Sequence, residues 1–428
     1  MEIMLILFGA SLLLVLANIP IAVALGIVAT VAMVATHGFE TVANVAIVTY
    51  NGATNFPLLA IPLFILAGAI MNASGISQRL VALANAMFGW IRGALAHVSI
   101  GASLFFAEIS GSAVADVAAL GSILIPSMKN RGYPAPMAAA CMSSAATLAV
   151  IIPPSIPMIL YGVMAEASVV QLFVAGIVPG LIGGLGLMGM AYYFARRYNL
   201  PRENEFSMKR LWECLVEAKW ALLLPMIILG GIFGGVVTAT EGAALAVVAA
   251  LFIGLGVYRE LDLHHLRAAI MEGGSQTAVV MLMVATSALL GNYLTEIAAP
   301  QALAAKVSEL TSNKYMILAL LNVLFLLLGM FLHSAAAIIL VVPVVMPLVI
   351  AAGIDPVHFG LIVTINLGIG QQTPPVASVL MIASSIAKCS VWEVTRVNIY
   401  FIGVLFAVLM MVTYVPVTGM GLVEYFYR

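Results

Sequence analysis

The sequence predicts an all-α polytopic membrane protein built from two inverted repeats, each with five crossings and one re-entrant helical hairpin. Three observations carry that prediction. First, 63% of the 428 residues are hydrophobic and 8% charged, with a mean hydropathy of +1.15, a composition that excludes a water-soluble domain. Second, helix-breaking clusters stand inside apolar sequence: Ser110, Gly111, Ser112, and then Pro153, Pro154, Ser155. Irregular backbone at membrane depth survives only where it is buried in protein or lines a wet cavity, because an unpaired N–H or C=O there is costly. Third, the pattern recurs. Pro126, Gly132, Pro153 and Pro154 precede Pro347, Gly353, Pro374 and Pro375 by a constant 221 residues (374 − 153). Two broken segments in matching positions of two halves are a sequence pointer to a secondary-transporter binding site.

Apolar stretches long enough to span at about 1.5 Å per residue begin with 3–17 and 20–36. A polar loop with Asn51, Asn55 and Pro57 follows, then a span over 58–75 and an amphipathic piece carrying Arg79 and Arg92. Residues 1–94 thus read as scaffold helices of the first repeat. Residues 95–165 hold the first hairpin, with arms 95–109 and 113–128, and a helix broken at Pro153 and Pro154. A Gly-rich scaffold helix fills 166–198 and ends at Arg196 and Arg197. The connector 199–219 sets Trp212 and Leu215 among Lys209, Arg210, Glu213 and Glu217, the mixed faces of a helix lying on the membrane surface. The second half repeats the plan: scaffold over 220–314, a hairpin with arms 315–331 and 337–350 and a broken helix 356–387 over 315–387, and a C-terminal scaffold helix in 388–428. Five is odd, so the halves must be inverted.

The basic residues test this layout. With the first hairpin's base in the cytoplasm, Arg79, Arg92, Lys129, Arg131, Arg196, Arg197, Arg202, Lys209, Arg210, Lys219, Arg259, Arg267, Lys388 and Arg396 lie inside, leaving Lys306, Lys314 and Arg428 outside. Fourteen against three obeys the positive-inside rule and makes both termini external.

Other classes are excluded or weakened by what is missing. A net charge of −1 lacks the basic footprint of a nucleic-acid binder. No Gly-rich run ends in Gly-Lys-Ser/Thr, so ATP is not the energy source on this chain. Cys141, Cys214 and Cys389 have neither disulfide nor metal spacing, and Met1-Glu2 lacks the basic start of a cleaved signal.

The runs FAEISGSAVADVAALGSILIPSMKNRGYP, IIPPSIPMILYG, LLAIPLFILAGAIMN (58–72) and TPPVASVL (373–380) resemble the large membrane subunit of the tripartite ATP-independent periplasmic (TRAP) transporters, in the family's motif order and over essentially the whole chain. That resemblance implies sodium-driven uptake of an organic acid handed over by a periplasmic binding protein, a small membrane partner subunit, and an elevator mechanism on an ion-transporter-superfamily-like fold. Three positions depart from the family's pattern. His333 stands where an acid is usual, Gln372 precedes Thr373 where Leu is common, and Thr238-Ala239-Thr240-Glu241 replaces Thr-Pro-Thr-Glu. The Gln371-Gln372 pair is similar to the sialic-acid branch. N-acetylneuraminate is therefore the first substrate expectation, and C4-dicarboxylate, keto-acid and sugar-acid branches share most other motifs.

Sodium takes hard oxygen ligands, which unwound backbone supplies. With at least two ions expected, pseudo-symmetry puts one between Ser110, Gly111, Ser112 and the break from Ala149 to Pro153. The other falls between Gly329 with the second tip and the stretch from Gly370 to Thr373. The acid is expected between the tips, at helix N-termini near Ser112 and Ser334 that each favour an anion by about 0.3–1 kcal/mol. Pro154, Ser155, Asn366, Gln371 and Gln372 complete the candidate set. No basic residue falls at membrane depth in this layout.

Plainer readings compete. Ser110 to Ser112 would also suit a small-residue helix crossing, and the prolines simple kinks, although neither accounts for the matched second copy. Asp116 is either functional or paired within its hairpin, and Glu241 serves either function or only a helix dipole. A hydrolase using Ser110 or Ser112 with His97 or Asp116 leaves the second repeat unexplained. A channel does not require paired hairpins.

Overall fold

The computed structural model describes residues 6–427 apart from positions 8, 12, 15, 16, 18 and 312, and for Glu108, Ile109, Ser110, Ser308 and Leu310 the backbone only. Much of the first expected crossing, 3–17, therefore lies outside the described residues. All regular structure among the described residues is helical. Eight described helices are long and apolar enough to cross a membrane, nine if one pair bent by 40° counts as a single span.

At the centre stand α7 (Ala135–Ile151) and α16 (Pro356–Gly370), in which every residue from Met137 and from Val357 onward is buried. A helix apolar on all sides belongs inside. The small residues of Ala138–Ala146 let neighbouring helices approach α7 closely, the contact mode that holds helices together in lipid. Each central helix breaks at a Pro-Pro pair, both pairs joined by cis bonds, and resumes as α8 (Ile156–Met164) or α17 (Ser378–Ala387).

The two hairpins flank this centre. The first is α5 (Ala94–Ser110) with α6 (Ala113–Asn130), the second α14 (Lys314–Phe331) with α15 (Ser334–Ala351). Shifting α6 by 221 residues reproduces both ends of α15. The bends after them use Gly132 and Gly353, at φ +83° and +65°, a left-handed conformation that suits glycine.

A second packing group holds α1 (Ile21–His37), α2 (Val42–Ala53), α3 (Ala60–Ala73), α11 (Ala239–Leu251) and α12 (Leu263–Glu296). Here α12 lies against α1, α2 and α3, and α11 against α3. The polar loop expected before the third span contains α2. Arm helix α4 (Ile76–Phe88) rests on α5 and on α10 (Met208–Phe233), and α13 (Ala299–Leu310) rests on α15. No breaker separates Lys219 from Trp220, so the connector expected on the membrane surface forms from residue 208 onward the first turns of α10. Its start is capped by Ser207, whose hydroxyl accepts from Arg210 N at 3.4 Å.

Helices α9 (Val169–Arg197) and α18 (Val391–Tyr414) fall in the stretches 166–198 and 388–428 that the sequence assigns to the scaffold. They pack on the central pair α7 and α16 and on each other, and α19 (Val417–Tyr427) covers α9. Three chain connections then join the two groups: residues 89–93, residues 198–207, and the short link after α13. The first two are bonded together, Gly93 N donating to Pro201 O at 3.0 Å and Glu203 and Asn204 N to Gly89 O at 3.0 and 3.2 Å. The same face carries the Arg131–Glu203 ion pair at 3.0 Å and the Arg79–Glu260 pair at 2.6 Å, with the Arg79 guanidinium 3.8 Å from the Tyr258 ring centroid.

Candidate functional site

Each hairpin tip meets a break. At the first, α5 ends on Gly111 at φ +57°, whose carbonyl accepts from Ile156 N at 3.4 Å. A Cβ at Gly111 would stand 2.9 Å from Pro154 O, so both backbone angle and proximity demand glycine. Ser112 then caps α6, its hydroxyl accepting from Ala115 N at 3.4 Å. At the second tip, Gly329 and Gly370 touch backbone to backbone, and Val376 N donates to Met330 O at 3.2 Å. His333 occupies the cap position of α15, equivalent to Ser112 by the 221-residue shift, and makes no capping bond. Its ring lines a cleft instead.

That cleft encloses about 770 Å³. Gly111, Ser112, His333, Ser334 and Gln371 form its inner end, and Ser122 on α6 faces Asn72 on α3 and Glu272, Ser275 and Gln276 on α12 farther out. The packing is unequal: α15 lies tight against α12 and α13, whereas α6 faces α3 and α12 across the opening. At that end Asn72 lies three residues before Gly75, whose carbonyl accepts from the Arg79 guanidinium, and Ser122 nine residues before Arg131.

Chemically the inner end offers donors. No Lys or Arg is among the described lining residues, and Glu272 is their one formal charge. The N-termini of α6 and α15 both reach the cleft and turn their positive dipole ends toward it. Gln371 is buried, and its Nε2 has no hydrogen-bond partner among the described residues. The equivalent position in the first repeat is Val150, which also lines the cleft. One wall is therefore polar where its counterpart is apolar.

The residues singled out from the sequence divide into two sets. Gly111, Ser112, Ser334 and Gln371 come together at the cleft. The others lie around or away from it. Ser155 is turned into the first break, donating to Val150 O at 2.7 Å, and Thr373 donates to Ile369 O at 2.8 Å. Ala149 is buried in α7, and Pro153 lines a separate apolar cavity against α9. Pro154 packs its carbonyl on Gly111, and Gly329 and Gly370 form the second contact. Asn366 sits a layer behind, donating to Asn322 Oδ1 at 2.6 Å and to Ile362 O at 2.9 Å. Gln372 faces Ser144 and Asn398. Asp116 is fully buried on α6, and Glu241 forms a capping box with Thr238 at the start of α11. The Ser110 side chain lies outside the described residues.

Sequence reasoning missed the outer wall. Glu272, Ser275, Gln276 and Val279 follow one face of α12 at i, i+3, i+4, i+7. Polar residues at the first three of those four positions were the available signal.

Comparison with known proteins follows the same lines. The family described as "Tripartite ATP-independent periplasmic transporter, DctM component" matches residues 8–418. The isethionate TRAP transporter permease DctMQ of Oleidesulfovibrio alaskensis is 41% identical over 97% of this chain, which spans 65% of that longer protein. The C4-dicarboxylate permease DctM of Pseudomonas aeruginosa is 39% identical over 90% of each chain, and the sialic acid permease SiaM of Vibrio cholerae 38% identical over 88% of each. In fold, the crystal structure of the Alcanivorax borkumensis YdaH transporter matches 90% of each chain with a TM-score of 0.62 at 17% identity.

Proposed function

The chain belongs to the DctM family of tripartite ATP-independent periplasmic transporters, and on that premise we propose that it drives sodium-coupled uptake of a hydroxylated organic acid, N-acetylneuraminate being the first candidate. It is a multi-pass inner-membrane permease, not an enzyme, and works with a small membrane subunit and a periplasmic substrate-binding protein.

One observation carries the mechanism: both tips and both breaks converge on one cleft that is closed against α12 on the α15 side and open on the α6 side. The distribution of basic residues supports assigning the open side to the cytoplasm. Alternating access then consists of α5–α9 and α14–α19 sliding as a unit along α1–α3, α11 and α12. Helices α9 and α18 travel with the moving body, because they are packed on its centre.

The acid is met by the two helix N-termini, Ser112, His333 and the Gln371 amide, with hydroxyl groups read by the amide and imidazole. Sodium neutralises what these neutral donors do not. Its oxygens come from the Gly111 tip with the first break and from the Gly370–Thr373 stretch, one ion at each and so at least two. Isethionate is the second acid to test, on the strength of the 41% identical relative.

The experiment is uptake into proteoliposomes holding this chain and its small subunit. Loaded binding protein is supplied outside, and labelled N-acetylneuraminate, isethionate, succinate and 2,3-diketogulonate are compared with and without an inward sodium gradient. Uptake that needs both sodium and binding protein supports the proposal. Transport of another acid alone removes N-acetylneuraminate. Flux indifferent to the gradient refutes the coupling.

A further inference from the structure

Gln371 and Gln372 are neighbours whose side chains leave the second break in different directions. Gln371 enters the cleft. Gln372, fully buried, is gripped from two sides: Ser144 Oγ on α7 donates to its Oε1 at 2.7 Å, and Asn398 Nδ2 on α18 donates to its Oε1 and its main-chain O, both at 3.2 Å. Ser144 and Asn398 are themselves fully buried, and Ser144 Oγ also lies 2.9 Å from Asn398 Oδ1.

This cluster exists at one break only. Shifted by 221 residues, the places of Gln372, Asn398 and Ser144 are taken by Ile151, Ile177 and Ile365. A buried polar group is costly unless satisfied, so three of them in a lipid-embedded core mark a requirement peculiar to the second break. The first break presents Val150 to the cleft, which needs no orientation. The second presents an amide, whose hydrogen-bonding direction does. Between Thr373 and Val376 the chain has left its helix, and the Asn398 bond fixes the last carbonyl before Thr373.

We propose that Gln372 is a positioning residue: clamped by Ser144 and Asn398, it fixes the unwound segment so that Gln371 presents its amide N–H to the anion in the cleft. This rests on the reading of Gln371 as part of the acid site, and the two ideas fail differently.

The test is equilibrium binding to the purified permease with its small subunit in sodium, using whichever of the four labelled acids the wild type transports fastest. The variants are Asn398→Leu, Ser144→Ala, Gln371→Ala and the doubles with Gln371→Ala. Asn398→Leu and Gln371→Ala are each expected to weaken binding about tenfold, the scale of one buried hydrogen bond, and Ser144→Ala somewhat less. In the Gln371→Ala background, Asn398→Leu is expected to add less than about twofold, because what it positions is gone. A general packing defect would persist in that background. Should Asn398→Leu fail to fold, the milder Ser144→Ala cycle carries the same test. Full additivity, or unchanged binding in the clamp variants, overturns the proposal. Wild-type binding by Gln371→Ala overturns the site reading and the clamp's purpose with it, and transport of none of the four acids overturns the substrate assignment on which both stand.

Discussion

Replacing Gly370 by Ala puts a methyl group into the contact that joins the second tip to the second break. The new Cβ would stand 2.5 Å from Gly329 Cα and 2.6 Å from Gly329 C, against 3.4 Å where ordinary contact begins. The two segments must therefore part by about 0.9 Å (3.4 − 2.5), and since the obstacle is backbone, no side chain can yield instead. Overpacking of this kind costs about 1–3 kcal/mol. A shift of about 1 Å in a positioned group is enough to lower an enzymatic rate ~100-fold, and transport through a site built from both segments is expected to fall at least ~10-fold. The assay is sodium-driven uptake in proteoliposomes beside thermal unfolding of the purified protein. A useful control is Gly353→Ala, where nothing lies within 4 Å of the added atom and φ is +65°. It should cost about 1 kcal/mol of stability while leaving uptake intact. A Gly370→Ala variant that melts and transports like the wild type would refute the argument that this contact shapes the site.

Further outcomes follow from the same geometry. Ser112→Ala removes one cap of α6 and should destabilise by about 0.5 kcal/mol, the low end for such caps given a 3.4 Å bond, as read from unfolding midpoints. In a variant lacking Cys141, Cys214 and Cys389, cysteines at Ser122 and Gln276 should react with a membrane-impermeant maleimide from the charged face, and reactivity only from the opposite face would reverse the assigned orientation. Arg79 holds the Glu260 carboxyl below the usual glutamate range through their hydrogen bond. The pair's contribution, under about 1 kcal/mol for a solvent-exposed pair, is thus present above the ordinary glutamate pKa and lost as pH falls through the lowered one. Glu260→Gln should flatten that part of the melting-temperature profile and no other.

Much of the architecture was legible because prolines and glycines punctuate an otherwise uniform apolar text. Pro153, Pro154, Pro374 and Pro375 sit at the breaks, and the shift that relates them also relates α6 to α15. The Gly111, Ser112 tip was legible for the same reason. Three-dimensional partners were not. Nothing local distinguishes Gln371, which faces the cleft, from Gln372, which does not, because both are buried amides at the end of the same helix and only contacts from other elements separate them. Helices α9 and α18 have the length and hydropathy of scaffold spans, and only their contacts with α7 and α16 associate them with the centre. Likewise Asn366 stands out as an intramembrane amide, but nothing in the sequence announces its partners: its Nδ2 donates to Asn322 and Ile362, and its Oδ1 has no hydrogen-bond partner among the described residues.

The hydrogen bonds that lace Gly89 and Gly93 to the stretch from Pro201 to Asn204 have a mechanical consequence. Two of the three tethers between the groups are thereby fastened to each other, so in the proposed sliding of one group along the other they cannot extend independently. Lengthening either tether with flexible residues would loosen that coupling without touching any residue that lines the cleft.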